Sequence, residues 1–238
     1  MKKLVVIPTF NEKENIADII KAVIGLGQDF HILVVDDSSP DGTSRIVEDL
    51  KLEHPNEVFL CIRKLKEGLG KAYLEGFSWA LASGYDYIFE MDADFSHNPQ
   101  DLPRLYEACQ RADMVIGSRY SKGVNVVNWP MGRVLISYLA SKYVRFLLRI
   151  PIHDTTAGFV CFSRKVLEDI ELDKVRLKGY GFQIEMKFRA YKKGFKIEEL
   201  PIVFTDRTRG ESKMSVNIFQ EALFGVLSLK WKSLMNRL

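Results

Sequence analysis

Asp92 and Asp94 stand one residue apart in "FEMDADFSH", at the end of an apolar run. Carboxylates at i and i+2 of an extended segment point to the same side. Left alone they repel, which raises the pKa of one of them, so a cation is their natural neutraliser. Oxygen ligands of this kind suit Mg²⁺ or Mn²⁺, and Mg²⁺ commonly binds through one or two carboxylates together with substrate phosphates. A diphosphate bridged to protein in this way becomes a better leaving group, because the metal offsets charge developing on its oxygens. The same pair also fits a helix cap or a solvated turn, so the surroundings must decide.

Basic groups that could share that neutralisation are Lys71 in "GLGKAY" and Arg207 and Lys213 in "DRTRGESK". The latter is a polar, Gly-containing stretch after a strand, suited to closing over phosphates. "GLGKAY" is no P-loop, since neither G-x-x-x-x-G-K-[ST] nor G-x-G-x-x-G occurs in the chain. The missing glycine fingerprint also disfavours a dinucleotide oxidoreductase. His97, beside the aspartates, reads as a helix-start or surface histidine rather than a ligand. Trp79, Trp129 and Trp231 read as core or interface anchors.

The elements that must position these groups alternate. Strands are expected at "KLVVIPTF", "FHILVVDDSS", "VFLCIRK", "YDYIFEMDAD" and "DMVIGSRY", with helices between them. Asn11 is the expected N-cap of the first helix, with Glu14 three residues on, and the second helix is expected to start near Asp41. The strands are continuous apolar runs, the pattern of a parallel sheet covered on both faces. Polar residues collect at the strands' carboxyl ends: Pro8 to Glu12, Asp36 and Asp37, Asp92 and Asp94, and Arg119. Open α/β sheets bind ligands at that edge.

After residue 120 the alternation breaks down. A helix is expected from about Gly132 to Ile150, with Ser137, Ser141, Lys142, Arg145 and Arg149 on one side and Leu135, Leu139, Tyr143, Phe146 and Ile150 on the other. A strand "GFVCFSR", a helix "GFQIEMKFRAYKKG", a strand "FKIEELPIVF" and a largely apolar final helix follow. The expected division is one catalytic domain, 1–215, and a peripheral helix, 216–238.

With 238 residues, 47% of them hydrophobic, the chain has an ordinary globular balance. Its net charge of +3 is unevenly spread. Met114 to His153 contains no acid but Arg119, Lys122, Arg133, Lys142, Arg145 and Arg149, and Ala222 to Leu238 contains no acid but Lys230, Lys232 and Arg237. Two basic surfaces on a mildly acidic body suggest an anionic partner. Cys61, Cys109 and Cys161 lack metal-ligand spacing and sit in apolar runs, as reduced thiols of a cytoplasmic protein do. The apolar stretch before Pro8 is shorter than the roughly 7 residues a signal peptide needs. No run reaches the ~18 apolar residues of a membrane-spanning helix.

In order, "VVIPTFNEKENI", "VVDDSSPDGT", "GLGKAY", "MDADFSHNP", "GSRY", "DTTAGF", "GYGFQIE" and "RTRGESK" resemble the motifs of the inverting family 2 glycosyltransferases. More narrowly they resemble dolichol- and polyprenol-phosphate mannosyltransferases of the short type without transmembrane segments. The resemblance runs from about residue 3 to residue 215. It implies a GT-A fold, a Rossmann-like, mostly parallel sheet flanked by helices, here with a C-terminal amphipathic interface helix. It also implies a GDP-mannose donor, Mg²⁺ or Mn²⁺, and a polyprenyl or dolichyl phosphate acceptor.

By the same resemblance Pro8, Phe10 and Glu12 would line the nucleoside pocket, with Asp37 on the base or ribose and Lys71 and Ala93 also at the donor. Asp92 and Asp94 would hold the metal. Some relatives add a glutamine ligand where this chain has Ser96, a weaker ligand that a water could replace. Arg119, Arg133 and Ser137 would meet the acceptor phosphate. Arg207 and Lys213 would bind the donor diphosphate or the acceptor phosphate, and Glu185 fits the motif without an assigned role. The enzyme would work peripherally on the cytoplasmic face of a membrane, where a membrane-anchoring partner could hold it, and would bind no nucleic acid. The alternatives are a polyprenyl-phosphate glucosyl- or N-acetylglucosaminyltransferase using a UDP-sugar, and a non-catalytic nucleotide- or lipid-binding subunit.

Overall fold

The computed structural model describes residues 1–207 and 216–235, the stretch 216–223 as backbone. The elements run β1 (Lys3–Thr9), α1 (Ile16–Ile24), β2 (Phe30–Asp36), α2 (Thr43–Glu53), β3 (Val58–Ile62), α3 (Leu69–Ala82), β4 (Tyr87–Glu90), α4 (Leu102–Cys109) and β5 (Met114–Ser118). They continue with β6 (Val126–Val127), α5 (Met131–Leu148), β7 (Val160–Ser163), α6 (Arg164–Asp169), α7 (Gly179–Lys192), β8 (Ile197–Pro201), β9 (Phe204–Thr205) and α8 (Val216–Leu234).

Seven strands form one sheet in the order β3-β2-β1-β4-β7-β5-β8. All neighbours are parallel except β7, which runs antiparallel between β4 and β5. Apolar continuity marks a strand as buried on both faces but carries no direction, so this reversal is not visible in the sequence. Successive side chains alternate between two cores. Val5, Ile7, Val34 and Phe89 pack with α1, α2 and α4 on one face. Leu4, Val6, Val35 and Ile88 pack with α3, α6 and α7 on the other. Helix α3 lies so close to β1 that a Cβ at Gly76 would come within 2.4 Å of Val6 Cγ1. That packing fixes the height of the strand ends.

One expectation about the elements is corrected. Asn11 does not cap α1: it sits in the left-handed region at φ 56°, and a turn closed by the Asn15 and Ile16 amides on the Glu12 carbonyl precedes the helix. In helix α5 burial cuts across the two expected sides. Ser141, Val144 and Leu148 are buried, whereas Leu135, Leu139 and Phe146 are exposed, Phe146 by 86%. Helix α8 packs Val226 and Leu229 into the core shared with α7. Its Phe224, Trp231 and Leu234 face outward.

Candidate active site

The carboxyl edge of the sheet gathers the chemistry. From β1 and β2, the Thr9 hydroxyl and the Ser39 amide and hydroxyl all donate to the buried Asp36. This leaves the next carboxylate, Asp37, at the rim, paired with Arg63 at 2.6 Å. Burial first, opposed by the Arg63 charge, pushes Asp37 above its usual range. Phe10 lies under the Lys66 ammonium at 3.6 Å, and Glu12 accepts from the Asn15 side chain. Lys71 stands in the first turn of α3.

Just past β4 the chain leaves the sheet with Asp92 and Asp94. Asp94 is buried, accepts from the Ser96 amide at 3.0 Å and pairs with Arg207 at 2.9 Å. Burial first and the Asp94 charge second push Asp92 up to about 7, although solvent still reaches 36% of its side chain and softens the effect. Arg207 and the Tyr73 hydroxyl act in the opposite direction. Ala93 is buried between the two aspartates.

The residues fit a divalent cation. Two carboxylates crowd one another at the bottom of the edge, an arginine from the far side of the site leans in as a stand-in cation, and the buried Ser96 hydroxyl has no hydrogen-bond partner. Among the described residues no third His, Cys, Asp or Glu completes a cage. Such a site suits Mg²⁺ or Mn²⁺ completed by phosphates and water.

His97 is not a surface group. It is buried, stacks on Phe159 at 4.9 Å and accepts the Asp92 amide through Nδ1 at 3.2 Å. Burial lowers its pKa to about 4, so it stays neutral and braces the backbone under the aspartates.

The basic half is built differently. Arg119, just past β5, is 5% exposed. Its Nε and Nη2 donate to Asp154 at 2.7 and 2.6 Å, its backbone amide adds a third bond, and Nη2 also reaches Thr156. This bidentate pairing leaves Nη1 over among the described residues. Arg133, at the start of α5, pairs with Asp206 at 2.9 Å and lies 4.1 Å over the Trp129 ring. The Tyr120 hydroxyl donates to Ser137 at 2.8 Å. Tyr180, at the start of α7, lies where it feels the charges of Arg119, Arg133 and Asp92 together.

Two supports hold the halves together. The β6–β9 ladder, with the Thr205 amide on the Ser96 carbonyl and the Asp206 amide on the Val127 carbonyl, carries Asp206 and Arg207 across the edge. Below, Lys187 donates to the Ala157 carbonyl and to Gln183, whose amide donates to Glu90. This buried chain links β4, the segment after Asp154, and α7. Burial pushes Glu90 up and Lys187 down, and their mutual attraction opposes both.

The sequence-derived residues Asp92, Asp94, Ser96, Arg119, Arg133, Ser137 and Arg207 therefore gather at one edge, with Pro8, Phe10, Glu12, Asp37 and Lys71 on its β1–β2 flank. Lys213 lies outside the described residues. Glu185 serves the fold, since one of its oxygens accepts the Arg176 and Leu177 amides and the other pairs with Arg189. Asp154, Tyr180 and Lys187 do not stand out individually in the sequence, and Trp129 reads there only as an anchor. The "DTTAGF" and "GYGFQIE" motifs contain Asp154 and Tyr180 and are the available signal.

A doubly covered, mostly parallel sheet with paired aspartates and arginines at its carboxyl edge defines a glycosyltransferase of the GT-A class. Residues 4–171 match the model of glycosyl transferase family 2, and the chain belongs to that family. It is 49% identical over 226 residues to polyprenol monophosphomannose synthase of Mycolicibacterium smegmatis, covering 94% of this chain and 85% of that protein. It is 44% identical to undecaprenyl-phosphate mannosyltransferase of Micrococcus luteus, over 100% of this chain and 99% of the relative. Dolichol-phosphate mannosyltransferase of Pyrococcus furiosus is 39% identical over the whole chain, which spans 66% of that longer protein. In fold, the chain is similar to glucosyl-3-phosphoglycerate synthase from Mycobacterium tuberculosis in complex with Mn²⁺, UDP and phosphoglyceric acid. The TM-score is 0.69 at 17% identity, covering 96% of this chain and 78% of that one.

Proposed function

We propose that this chain transfers mannose from GDP-mannose to a polyprenyl phosphate of the dolichyl type, with inversion, giving a polyprenyl phosphate β-mannose. The observation that carries the reading is the pairing, on one sheet edge, of under-neutralised Asp92 and Asp94 with Arg119 and Arg133, in a chain 49% identical to a polyprenol monophosphomannose synthase.

Pro8, Phe10 and Glu12 line the nucleoside pocket, Asp37 hydrogen-bonds base or ribose, and Lys71 and Ala93 flank the donor. Asp92 and Asp94, with Ser96 or a water, would hold Mg²⁺ or Mn²⁺, which supplies neutralisation of the leaving diphosphate. Arg207 then moves from Asp94 to the donor phosphates, joined by Lys213. Arg119 through Nη1, Arg133 and Ser137 orient the acceptor phosphate, so that two anions can approach. A phosphate oxygen forms the new bond to the anomeric carbon as the bond to the GDP oxygen breaks, and that electron pair leaves with GDP. The second pKa of a phosphate monoester lies near ~6, so the nucleophile is already anionic and no general base is needed.

A polyprenyl chain stays in the bilayer, so the site works at its surface. No helix among the described residues is long and apolar enough to cross a membrane. The outward stripes of α5 (Leu135, Leu139) and α8 (Phe224, Trp231, Leu234) would dip into the interface. Residues 1–215 are then the catalytic domain and 216–238 the peripheral helix. Three unpaired thiols suit the cytoplasmic face. A membrane-anchoring protein partner is compatible with this docking.

The test is a screen of labelled nucleotide sugars against a polyprenyl phosphate with Mg²⁺, Mn²⁺ or EDTA. GDP-mannose with either metal is expected to give the β-linked product. A preference for UDP-glucose, or full turnover in EDTA, contradicts the reading.

A further inference from the structure

At the far end of α5 from the catalytic edge, a cavity of about 620 Å³ is lined by Lys142, Arg145, Arg149, Phe146, Ile150 and Tyr191. Residue 145 lies twelve positions from residue 133, roughly 18 Å along the helix at ~1.5 Å per residue, so this is not the acceptor-phosphate site. Most arginines of the described residues, from Arg63 to Arg207, are ion-paired. Arg145 and Arg149 stand in no ion pair or side-chain hydrogen bond among those residues, and Lys142 only approaches the Tyr138 ring, at 4.7 Å. Three cations lining one cleft repel one another and favour an anion among them. The carboxyl end of α5 offsets part of that repulsion, and its Arg149 cap sits at φ 57°. Helix capping does not account for the apolar half of the lining, in which Phe146 is the most exposed large apolar side chain of the described residues, at 86%.

We propose that this cleft seats the phosphate of an anionic phospholipid of the bilayer, with Arg145 and Arg149 on the phosphate oxygens, Lys142 at the rim, and Phe146 against the acyl-chain end. Guanidinium forks match phosphate oxygens in geometry as well as charge. The cleft is continuous with the outward stripe of α5, so one bound lipid anchors the same face that the proposed function turns toward the membrane. The inference rests on that membrane-facing reading.

The experiment is vesicle flotation with phosphatidylcholine alone and with phosphatidylglycerol added. Alongside it, mannosyl transfer is measured to a short, water-soluble isoprenyl phosphate, which needs no bilayer. The K142A/R145A/R149A variant is expected to lose about 100-fold in partition onto phosphatidylglycerol vesicles, at one basic residue's worth per position. Its weak binding to phosphatidylcholine and its turnover of the short acceptor stay at parental level. The charge-conserving R145K/R149K variant separates a seat from diffuse attraction, and a several-fold loss of phosphatidylglycerol binding is expected. F224S/W231S, by contrast, loses binding to both vesicle types. Parental phosphatidylglycerol binding by either basic variant overturns the site. A dimer in solution that the triple variant dissolves would give the face to a second copy of the chain and overturn it as well. Failure of the parental protein to use the short acceptor would instead count against the proposed function and leave the vesicle comparison to be read by itself.

Discussion

The acidic and basic halves of the sheet edge treat their charges in opposite ways. Arg119 is locked: 5% exposed, bidentate to Asp154, its backbone amide bound to the same carboxylate. Asp92 and Asp94 are unfinished: Asp92 is pushed up to about 7, and Asp94 is held by Arg207, a residue whose side chain is 26% exposed. A closed, low-dielectric ion pair resists change, because removing either partner strands a buried charge. A crowded carboxylate pair instead gains from each cation it acquires. The edge thus combines a preformed basic side with an acidic side completed by what binds to it.

Substitutions on the two sides should separate activity from stability. The largest effect is expected for Asp94→Ala, which should lower turnover at least about 1,000-fold, the scale of losing a partner of developing charge. Its stability in urea should stay within about 1–2 kcal/mol of the parent, since the fold loses the bond from the Ser96 amide and an exchangeable Arg207 contact. Asp154→Ala should do the reverse in kind. It leaves the Arg119 guanidinium buried without its carboxylate and should cost about 3–5 kcal/mol of unfolding free energy in the same titration. Equal destabilisation by the two variants would erase the distinction between the halves.

Acid sharpens the comparison. Burial opposes the Asp154 charge, but Arg119 and the hydrogen bonds it donates overcome that, and the carboxyl titrates below its usual range. Its contribution is therefore fully present above the unfolded-chain pKa of ~3.9 and lost as pH falls through the lower folded value. Stability measured from pH 5 down to 2 should fall more steeply in the parent than in Asp154→Asn. The smallest effect is expected for Glu185→Gln. It weakens the pair with Arg189 and the bonds from the Arg176 and Leu177 amides, lowering stability by about 1–2 kcal/mol while turnover changes less than about two-fold. A large kcat loss with unchanged stability would move Glu185 into the site.

Much of the edge is legible because strand ends are marked in sequence by the switch from apolar to polar residues. That signal places Asp92, Asp94, Asp37 and Arg119 on one side of a sheet. It cannot show that Arg119 is held by Asp154, 35 residues away, since hydrogen bonding between loops leaves no periodicity. The direction of β7 is hidden for a related reason: a strand buried on both faces reads alike in either direction. Helix α7 misleads by its charges. Charged side chains ordinarily stay exposed, yet Glu185, Lys187 and Arg189 are all buried because each finds partners inside. Helix α5 is open in sequence for another reason, since an apolar stripe fits a core face or an interface alike, and Phe146 points out.

The most direct test of the central claim is Mn²⁺ binding followed by electron paramagnetic resonance, with GDP present. The parental protein should remove the free-ion signal at one Mn²⁺ per chain, and Asp94→Ala should leave it nearly intact at the same concentrations. Equal loss of signal in both proteins would contradict the assignment of the metal to this aspartate pair.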